Sequence, residues 1–311
     1  MKEVGTGEAT GKIILMGEHA VVYQKPAIAF PFKGTTITAM ITQANENTLT
    51  SSYHTGALKQ TSENLANITQ LTQKLQQDLN TPPFHLTIQS TIPSERGMGS
   101  SAAVAVAITR AFFDWQVLPL SEETLLRYVN FSEQIAHGNP SGIDAAATSG
   151  SQPIYYQKNQ AIMPFPLHLD AFLLVADTGI KGQTRAAVRS VAELATLQPE
   201  LVESITAHLG LLTNQAKQAI MHNEAETLGD LMDQAQSDLE KLGVSNDELN
   251  RYTRLAKEHG ALGAKLTGGG RGGCFIVLTK TKEQAETICH ILEQAGVKGT
   301  WLQGLGAYQH A

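Results

Sequence analysis

The sequence predicts a two-domain α+β protein, and three observations support this fold class. The chain has 311 residues, more than a single domain usually contains. Strand and helix patterns are mixed through its first half, whereas the second half holds a long helical stretch between apolar runs typical of strands. The segment QKNQAIMPFPLHLD, residues 157–170, separates the two halves. We therefore expect domains of residues 1–165 and 166–311.

The first half combines short strands with amphipathic helices. Three segments have strand composition, and the last two alternate in polarity: residues 12–17, 34–42 and 84–90. Apolar residues recur every three or four positions from Leu65 to Leu79, which predicts a helix that ends at the sequence Asn80-Thr-Pro-Pro. Another helix is predicted to begin at Ser121, because two glutamates follow this serine and suit the positive end of a helix dipole.

The second half begins and ends with strands. The apolar run AFLLVADTG, residues 171–179, predicts a buried strand that ends in a turn. Helical periodicity then continues to about Gly260. Three elements are predicted after it, namely a strand, glycine turn and strand over 263–280, a helix over 283–295 and a last strand over 299–305.

Composition favours a globular protein with a small-molecule ligand. Hydrophobic residues make up 42% of the chain, and the formal net charge of −6 disfavours a nucleic-acid-binding surface. The longest nearly apolar run, Ala102 to Phe113, is too short to cross a membrane, and the first residues lack the apolar region of a signal peptide. Cys274 and Cys289 form neither a disulfide framework nor a metal-ligand spacing. We expect a cytoplasmic protein without nucleic-acid or membrane partners.

The stretch IPSERGMGSSAAVAVA, residues 92–107, places two glycines and two serines ahead of an apolar helical run. A flexible turn ending in a serine cap is one interpretation. The other is a phosphate site, in which small residues let the anion approach backbone N–H groups at a helix N-terminus. This segment alone does not decide between them.

Other phosphate-binding patterns fit poorly. Gly11-Lys12 is followed by Ile13, where a Walker A motif needs Ser or Thr. The glycine loop of protein kinases and its companion motifs are absent. Gly97 to Ala102 does satisfy the dinucleotide pattern G-x-G-x-x-A, but the strand before it alternates in polarity and Asp114 falls at the end of a helix. A nicotinamide enzyme is therefore disfavoured.

Three segments together resemble the motifs of the GHMP kinases: GKIILMGEHAVVYQKPAIAFP, IPSERGMGSSAA and KLTGGGRGGCFIVL. The resemblance extends in order and spacing over nearly the whole chain. Within that superfamily, GEHAVVYQKPAI followed by EQIAHGNPSGIDAA most resembles the mevalonate kinases. The resemblance implies the α+β two-domain GHMP kinase fold. Its N-terminal domain is similar to the second domain of ribosomal protein S5, its C-terminal domain is ferredoxin-like, and the site lies between them.

The resemblance also implies an activity. The expected reaction is ATP-dependent phosphorylation of the C5 hydroxyl of mevalonate in isoprenoid synthesis, with ATP as co-substrate and Mg²⁺ as cofactor. Two alternatives stay open: another GHMP kinase acting on an acceptor such as phosphomevalonate, and a non-catalytic ligand sensor with the same fold. A sensor would be expected to lose Lys12 or Asp144, and both are present. The oligomeric state stays open as well, a homodimer being one alternative.

Roles for individual residues follow from the matched motifs. Asp144 is the implied catalytic carboxylate, with Lys12 beside the reacting hydroxyl, and Glu18 and His19 complete the acceptor pocket. Ser101 and Glu133 are the implied magnesium ligands. The residues implied to bind ATP are Pro93, Arg96, Gly97, Met98, Gly99, Ser100, Ser101 and Ala102. The glycines at 268–270, 272 and 273 would let the third motif approach the phosphate loop closely.

Each of these residues also has a structural interpretation. Lys12 could be a solvated lysine at a strand end, and His19 a hydrogen-bonded turn residue. Glu133 could be an exposed helical glutamate. Asp144 could cap the AAAT segment that follows it.

The chain departs from the family pattern in two places. Glu95 occupies the first glycine position of the usual P-x-G-x-G, and Gln24 replaces the glycine that is common before Lys-Pro. A carboxylate close to ATP would be unfavourable. We therefore expect Glu95 to turn outward or to pair with Arg96.

Overall fold

A computed structural model describes residues 1–138 and 140–308, which form two compact units. Each unit is assembled from separate stretches of the chain. The first unit contains Met1–Lys12, Pro31–Pro93 and Gly99–Gly150. The second unit contains Ile13–Phe30, Ser94–Met98 and the described chain from Ser151 onward. The predicted domain boundary at residue 165 stays a prediction.

Five strands of a seven-stranded sheet lie wholly or mostly in the first unit: β1 (Val4–Met16), β2 (Ala27–Gln43), β3 (Thr48–Thr50), β4 (Thr55–Ala57) and β5 (Phe84–Ser90). The order is β4-β3-β5-β2, and β1 also pairs with β2. β5 is antiparallel to β2 and parallel to β3. Alternate residues of β2, including Ile37, Ala39 and Ile41, are buried, which confirms the alternation read from the sequence. β1 begins earlier than predicted, because the residues before Lys12 are rich in glycine and give little strand signal.

Four α-helices and two short 3₁₀ turns complete the first unit. The helices are α1 (Ala66–Leu79), α2 (Ser100–Gln116), α3 (Glu122–His137) and α4 (Ile143–Ser149), and the turns are Leu58–Gln60 and Glu63–Leu65. The predicted start of α3 is confirmed, since the Ser121 hydroxyl accepts a hydrogen bond from the Thr124 amide at 3.2 Å. α1 ends at Asn80 in the left-handed conformation, close to the predicted stop.

Glycines let β1 and α2 pack with their backbones almost in contact. A Cβ atom at Gly7 would lie 2.1 Å from the Ala107 carbonyl oxygen, and one at Gly5 would lie 2.5 Å from the Ala111 oxygen. Residues two apart in a strand share a face, so both glycines face α2. Arg110 of α2 adds hydrogen bonds to the carbonyl oxygens of Glu8 in β1 and Ser149 in α4.

The second unit contains a four-stranded antiparallel sheet. Its strands are β8 (Phe172–Asp177), β9 (Gly263–Leu266), β10 (Cys274–Thr279) and β11 (Gly299–Gly304), in the order β11-β8-β10-β9. All residues of β9 and β10 are buried. Two further strands, β6 (Ile154–Tyr156) and β7 (Met163–Pro164), pair with each other, and β6 pairs with residues 27–29 of β2. The strands predicted from the apolar runs are confirmed.

Five α-helices belong to the second unit: α5 (Thr184–Leu197), α6 (Pro199–Met221), α7 (Ala225–Lys241), α8 (Asp247–Glu258) and α9 (Lys282–Gln294). The helical stretch that was predicted to continue to about Gly260 consists of the first four of these helices. Two 3₁₀ turns, Ala20–Tyr23 and Leu305–Tyr308, lie in the same unit. Within the described ranges, no helix combines the length and apolarity needed to cross a membrane.

The contact between β1 and α2 yields a prediction for stability. In Gly7→Ala, the added methyl group collides with α2 backbone atoms, so the free energy of unfolding should fall by about 1–3 kcal/mol, as for other overpacked sites. Urea unfolding followed by circular dichroism measures this. Gly306→Ala is the control, because among the described residues, its chain neighbours aside, no atom lies within 4 Å of the position that its added methyl group would take. Equal losses in both variants would contradict the packing argument.

Candidate active site

An ion pair with a buried lysine lies in the first unit. Lys12 belongs to β1, and its side chain is only 2% exposed. Its Nζ atom lies 3.0 Å from Oδ1 of Asp144, a half-buried residue in the first turn of α4. Gly99 lies against the lysine stem, since a Cβ atom there would be 2.7 Å from Lys12 Cγ. Lys12 is therefore not a solvated strand-end lysine.

Glu133 is another carboxylate of the same unit, and it is buried. It lies near the end of α3 and is 2% exposed, so it is not a surface residue of the helix. Burial, together with the charge of Asp144, raises the pKa of Glu133 to about 7, although the Ser101 hydroxyl and the Lys12 ammonium oppose the increase. Its Oε2 atom lies 3.7 Å from Nε2 of His137. Its buried Oε1 atom accepts no hydrogen bond from the described residues.

These residues fit a magnesium ion. A buried carboxylate oxygen without a hydrogen bond, close to a serine hydroxyl, is a donor set that suits a hard cation. Within the described ranges, no group of three or more His, Cys, Asp and Glu residues could hold a metal. An ion held by Glu133 and Ser101 would therefore need oxygen ligands from a bound phosphate group and from water.

Asn67 links the two segments that carry these oxygens, and sequence reasoning missed it. It lies in the first turn of α1, and its Nδ2 group donates to the hydroxyls of Ser101 at 3.4 Å and Ser132 at 3.3 Å. Ser132 precedes Glu133 in α3. The sequence held no clear signal for this role, because a single polar residue in an amphipathic helix is ordinary.

The glycine-rich segment runs from the second unit into the first. Residues 94–98 belong to the second unit, and Gly99 is the N-cap of α2 in the first. Gly97 and Gly99 both have positive φ, a conformation that favours glycine. A Cβ atom at Gly268 would lie 2.7 Å from the Gly97 oxygen, so the third glycine motif does approach this loop closely. α2 begins without a side-chain cap, and its N-terminus can bind an anion.

Glu18 and His19 lie in the second unit and both are buried. Nε2 of His19 lies 3.0 Å from the Gly269 carbonyl oxygen. Burial lowers the pKa of His19 to about 4, so the ring is neutral at pH 7. Because a carbonyl oxygen only accepts, Nε2 carries the proton and Nδ1 is left as an acceptor. His19 therefore takes no part in the site as a cation.

Glu18 forms a buried ion pair with Lys265, a residue that sequence reasoning did not assign. The Lys265 ammonium donates to Oε1 of Glu18 and, at 2.7 Å, to the carbonyl of Leu266. Both side chains are fully buried. A lysine within the apolar strand β9 was the available signal, since a buried lysine requires a partner.

Glu95 turns outward, which was one of the two arrangements expected for it, the other being a pair with Arg96. Its exposed carboxylate pairs with Lys181 at 2.5 Å rather than with Arg96. Its φ of 56° is left-handed, which explains why the usual motif has glycine at this position. Arg96 instead pairs with Asp177, at 2.8 Å between Nε and Oδ1.

The structure thus brings together the first-unit residues Lys12, Ser101, Glu133 and Asp144. Glu18, His19, Arg96, Gly97 and Met98 belong to the second unit. The ATP-binding roles of Pro93, Met98, Ser100 and Ala102 stay predictions. Asn139 of the EQIAHGNPSGIDAA motif lies outside the described residues.

Comparison with known proteins identifies similar sequences and folds. Residues 66–151 match the GHMP kinase N-terminal domain, and residues 216–298 match the GHMP kinase C-terminal domain. A mevalonate kinase from Aeropyrum pernix is 32% identical over 307 residues, covering 95% of this chain and 94% of the relative.

Two solved structures share the fold over almost the whole chain. Mevalonate kinase from methicillin-resistant Staphylococcus aureus is 34% identical, with a TM-score of 0.75 and coverage of 98% of this chain and 100% of that one. L. major mevalonate kinase in complex with R-mevalonate is 26% identical, with a TM-score of 0.81 and coverage of 97% and 96%. The fold and the resemblance predicted from the motifs are confirmed.

The raised pKa of Glu133 predicts a pH-dependent stability. The native state keeps this proton up to about pH 7, whereas the unfolded chain loses it near 4.5, so Glu133 costs stability as pH rises between these values. A pKa shift of this size corresponds to a change of about 3 kcal/mol in the free energy of unfolding. The free energy of unfolding of Glu133→Gln, relative to that of the parent protein, should therefore increase by up to that amount as pH rises from about 4.5 to about 8. Urea unfolding without ligands measures it, and a stability difference independent of pH would contradict the assignment.

Proposed function

The chain belongs to the GHMP kinase family, and we propose that it transfers the γ-phosphoryl group of ATP to the C5 hydroxyl of mevalonate, forming 5-phosphomevalonate and ADP. The relatives that are more than 25% identical and are named above are mevalonate kinases, one of them solved with R-mevalonate. The observation that carries the proposal is the Lys12–Asp144 pair, a carboxylate and a buried ammonium in contact in the unit that also holds the N-terminus of α2.

Asp144 acts on the attacking hydroxyl. Its half-exposed carboxylate can accept the hydroxyl proton while the C5 oxygen forms its bond to the γ-phosphorus. The bond between the γ-phosphorus and the β–γ bridging oxygen breaks, and ADP leaves with that electron pair. Lys12 holds the carboxylate in place and offsets negative charge that develops on the transferring group.

The glycine-rich segment binds the triphosphate in this proposal. Positive φ angles at Gly97 and Gly99 turn the loop, and the N-terminus of the 17-residue helix α2 favours negative charge. Ser101 and Glu133 would hold Mg²⁺, which when bound neutralises charge on the phosphate oxygens. The residues assigned to the ATP site are Pro93, Arg96, Gly97, Met98, Gly99, Ser100, Ser101 and Ala102.

Glu18 and His19 are proposed to contact the acceptor substrate, as Asp144 is. A neutral His19 whose Nε2 proton is committed to Gly269 offers Nδ1 as an acceptor for a substrate hydroxyl. Glu18 is fixed by Lys265, so its position does not depend on the substrate. A neutral imidazole that accepts a hydrogen bond suits a substrate that carries hydroxyl groups.

Two other functions compete with this one. Another GHMP kinase would use a different small acceptor such as phosphomevalonate, and a sensor would bind ligands without turnover. The presence of both Lys12 and Asp144 favours an enzyme over a sensor. Cytoplasmic location, the absence of nucleic-acid and membrane partners, and a homodimer as one assembly stay predictions of the same proposal.

The acceptor is tested by an ADP-release assay with MgATP and four compounds, namely mevalonate, phosphomevalonate, homoserine and galactose. We expect turnover on mevalonate far above that on the other three. Equal or greater activity on phosphomevalonate would overturn the substrate assignment while leaving the family unaffected. No turnover on any compound, with intact nucleotide binding, would favour the sensor.

The role of Asp144 is tested by Asp144→Asn, which keeps the side-chain size but removes the proton acceptor. General-base help is typically worth 10²–10⁴-fold, so kcat should fall by at least about a hundredfold while KM for mevalonate changes much less. Asp114→Asn is the matched control, because Asp114 forms a separate pair with Lys2 at 2.6 Å on the surface of the same unit. A near-parental kcat in Asp144→Asn would leave Asp144 a structural carboxylate.

A further inference from the structure

Residues 94–98 of the glycine-rich loop are held by their backbone to two other segments of the second unit. The Glu95 carbonyl accepts a hydrogen bond from the Gly182 amide at 2.7 Å, and the Arg96 carbonyl accepts one from the Cys274 amide at 3.0 Å. The next residue, Gly97, packs on Gly268. Three consecutive residues of the loop are thus positioned by the turn after β8 and by the third glycine motif.

The Arg96 side chain is committed to the same turn. Its Nε atom lies 2.8 Å from Asp177 Oδ1, and Nη2 donates to the Gly179 carbonyl at 3.2 Å. Its Nη1 atom donates to the carbonyl of Ser94 at 3.3 Å. Nη1 and Nη2 thus donate hydrogen bonds to carbonyl groups, whereas Nε is within ion-pair distance of Asp177 without forming a hydrogen bond. The charge of Arg96 is matched inside the protein and is not held ready for a ligand.

Asp177 is suited to anchor this arginine. It ends strand β8, is 6% exposed, and its Oδ1 atom also accepts a hydrogen bond from the Gly179 amide at 2.8 Å. One carboxylate oxygen thus fixes both the turn and the arginine. A buried pair of this kind has a defined geometry, and removing one partner leaves the other charge buried and uncompensated.

The loop carries a second ion pair with a different environment. Glu95 and Lys181 join the same two segments, but their side chains are 58% and 74% exposed. Exposed pairs contribute little because solvent screens them and both side chains lose freedom. Of the two pairs, the Arg96–Asp177 pair is the one able to define the loop geometry.

We propose that Asp177 is a positioning residue for nucleotide binding, which acts by holding Arg96 and thereby residues 94–98 in the conformation that receives the ATP phosphates. Arg96, which is assigned above to the ATP site, takes part in that site through the loop that it fixes, because its guanidinium is committed to protein groups. The inference rests on the proposed function, and it assigns a role to the Asp-Thr-Gly sequence that otherwise only ends a buried strand.

The test is the dissociation constant of MgADP, measured by isothermal titration calorimetry on the full chain, so that no acceptor is needed. Asp177→Asn and Arg96→Gln should each weaken MgADP binding roughly three- to thirtyfold, within the range of couplings between contacting residues. The dissociation constant of MgADP for the double variant should lie within about twofold of that for the weaker-binding single variant. KM for mevalonate should stay within about twofold of the parent value, because the loop is assigned to the nucleotide.

Lys181→Met is the matched control, since it removes the exposed pair from the same loop, and its MgADP affinity should equal that of the parent. Thermal unfolding checks that each variant is folded. Arg96→Lys provides a second test if Asp177→Asn does not fold, because it keeps the charge but loses the donation to Gly179 and should also weaken binding.

Three results would overturn the inference. If Asp177→Asn binds MgADP as tightly as the parent protein, Asp177 does not position the loop. The same holds for Arg96→Lys if that variant is tested instead. Additive losses in the double variant mean that Arg96 contacts the nucleotide independently of Asp177. A parent protein that binds no adenine nucleotide would overturn the proposed function together with the inference, whereas the first two results leave the proposed function standing.

Discussion

The buried ammonium of Lys12 constrains everything around it in the first unit. A charge removed from water needs a compensating partner, and Asp144 supplies it at 3.0 Å. The strand that carries Lys12 can approach α2 only because Gly5 and Gly7 lack side chains, and Gly99 leaves room for the lysine stem. Arg110 then joins β1, α2 and α4 through backbone carbonyls. The chemistry of the site is thus a consequence of how a charged side chain is accommodated in a core.

The second unit also buries polar side chains, and it compensates them in different ways. Glu18 is buried against Lys265, and His19 avoids a charge altogether because burial holds its ring neutral. The glycine motif after β9 provides the carbonyl that fixes the ring. Its glycines also permit the contact with Gly97, where side chains would collide with backbone. Polar groups in this unit are therefore oriented by internal partners before any ligand arrives.

Much of the fold could be predicted from the sequence, because hydrophobic periodicity is a local property. The helical stretch before Gly260 follows from it, the strand β8 follows from a continuous apolar run, and the start of the helix after Ser121 follows from its cap and first-turn glutamates. The short strands β3, β4, β6 and β7 were missed, since two or three residues are too few to show a period. The interleaving of the two units also leaves no local signal.

The site could be predicted only where motifs carry it. Lys12 and Asp144 were assigned through family motifs, and the structure brings them into contact. Asn67, Lys265 and Arg96 act through partners far away in the sequence, which composition and spacing do not reveal. The sequence alone does not show which polar residues that are far apart in the chain form pairs.

The interleaved chain has a consequence for synthesis on the ribosome. Residues 13–30 leave the ribosome early, yet their partners in the second unit come much later, at 154–156 for β2 and at Lys265 for Glu18. At typical elongation rates of about 5–20 residues per second, Glu18 waits on the order of tens of seconds for its counter-ion. During that time a carboxylate destined for burial must stay hydrated, so this stretch of the nascent chain cannot close into its native core until Lys265 has been synthesised.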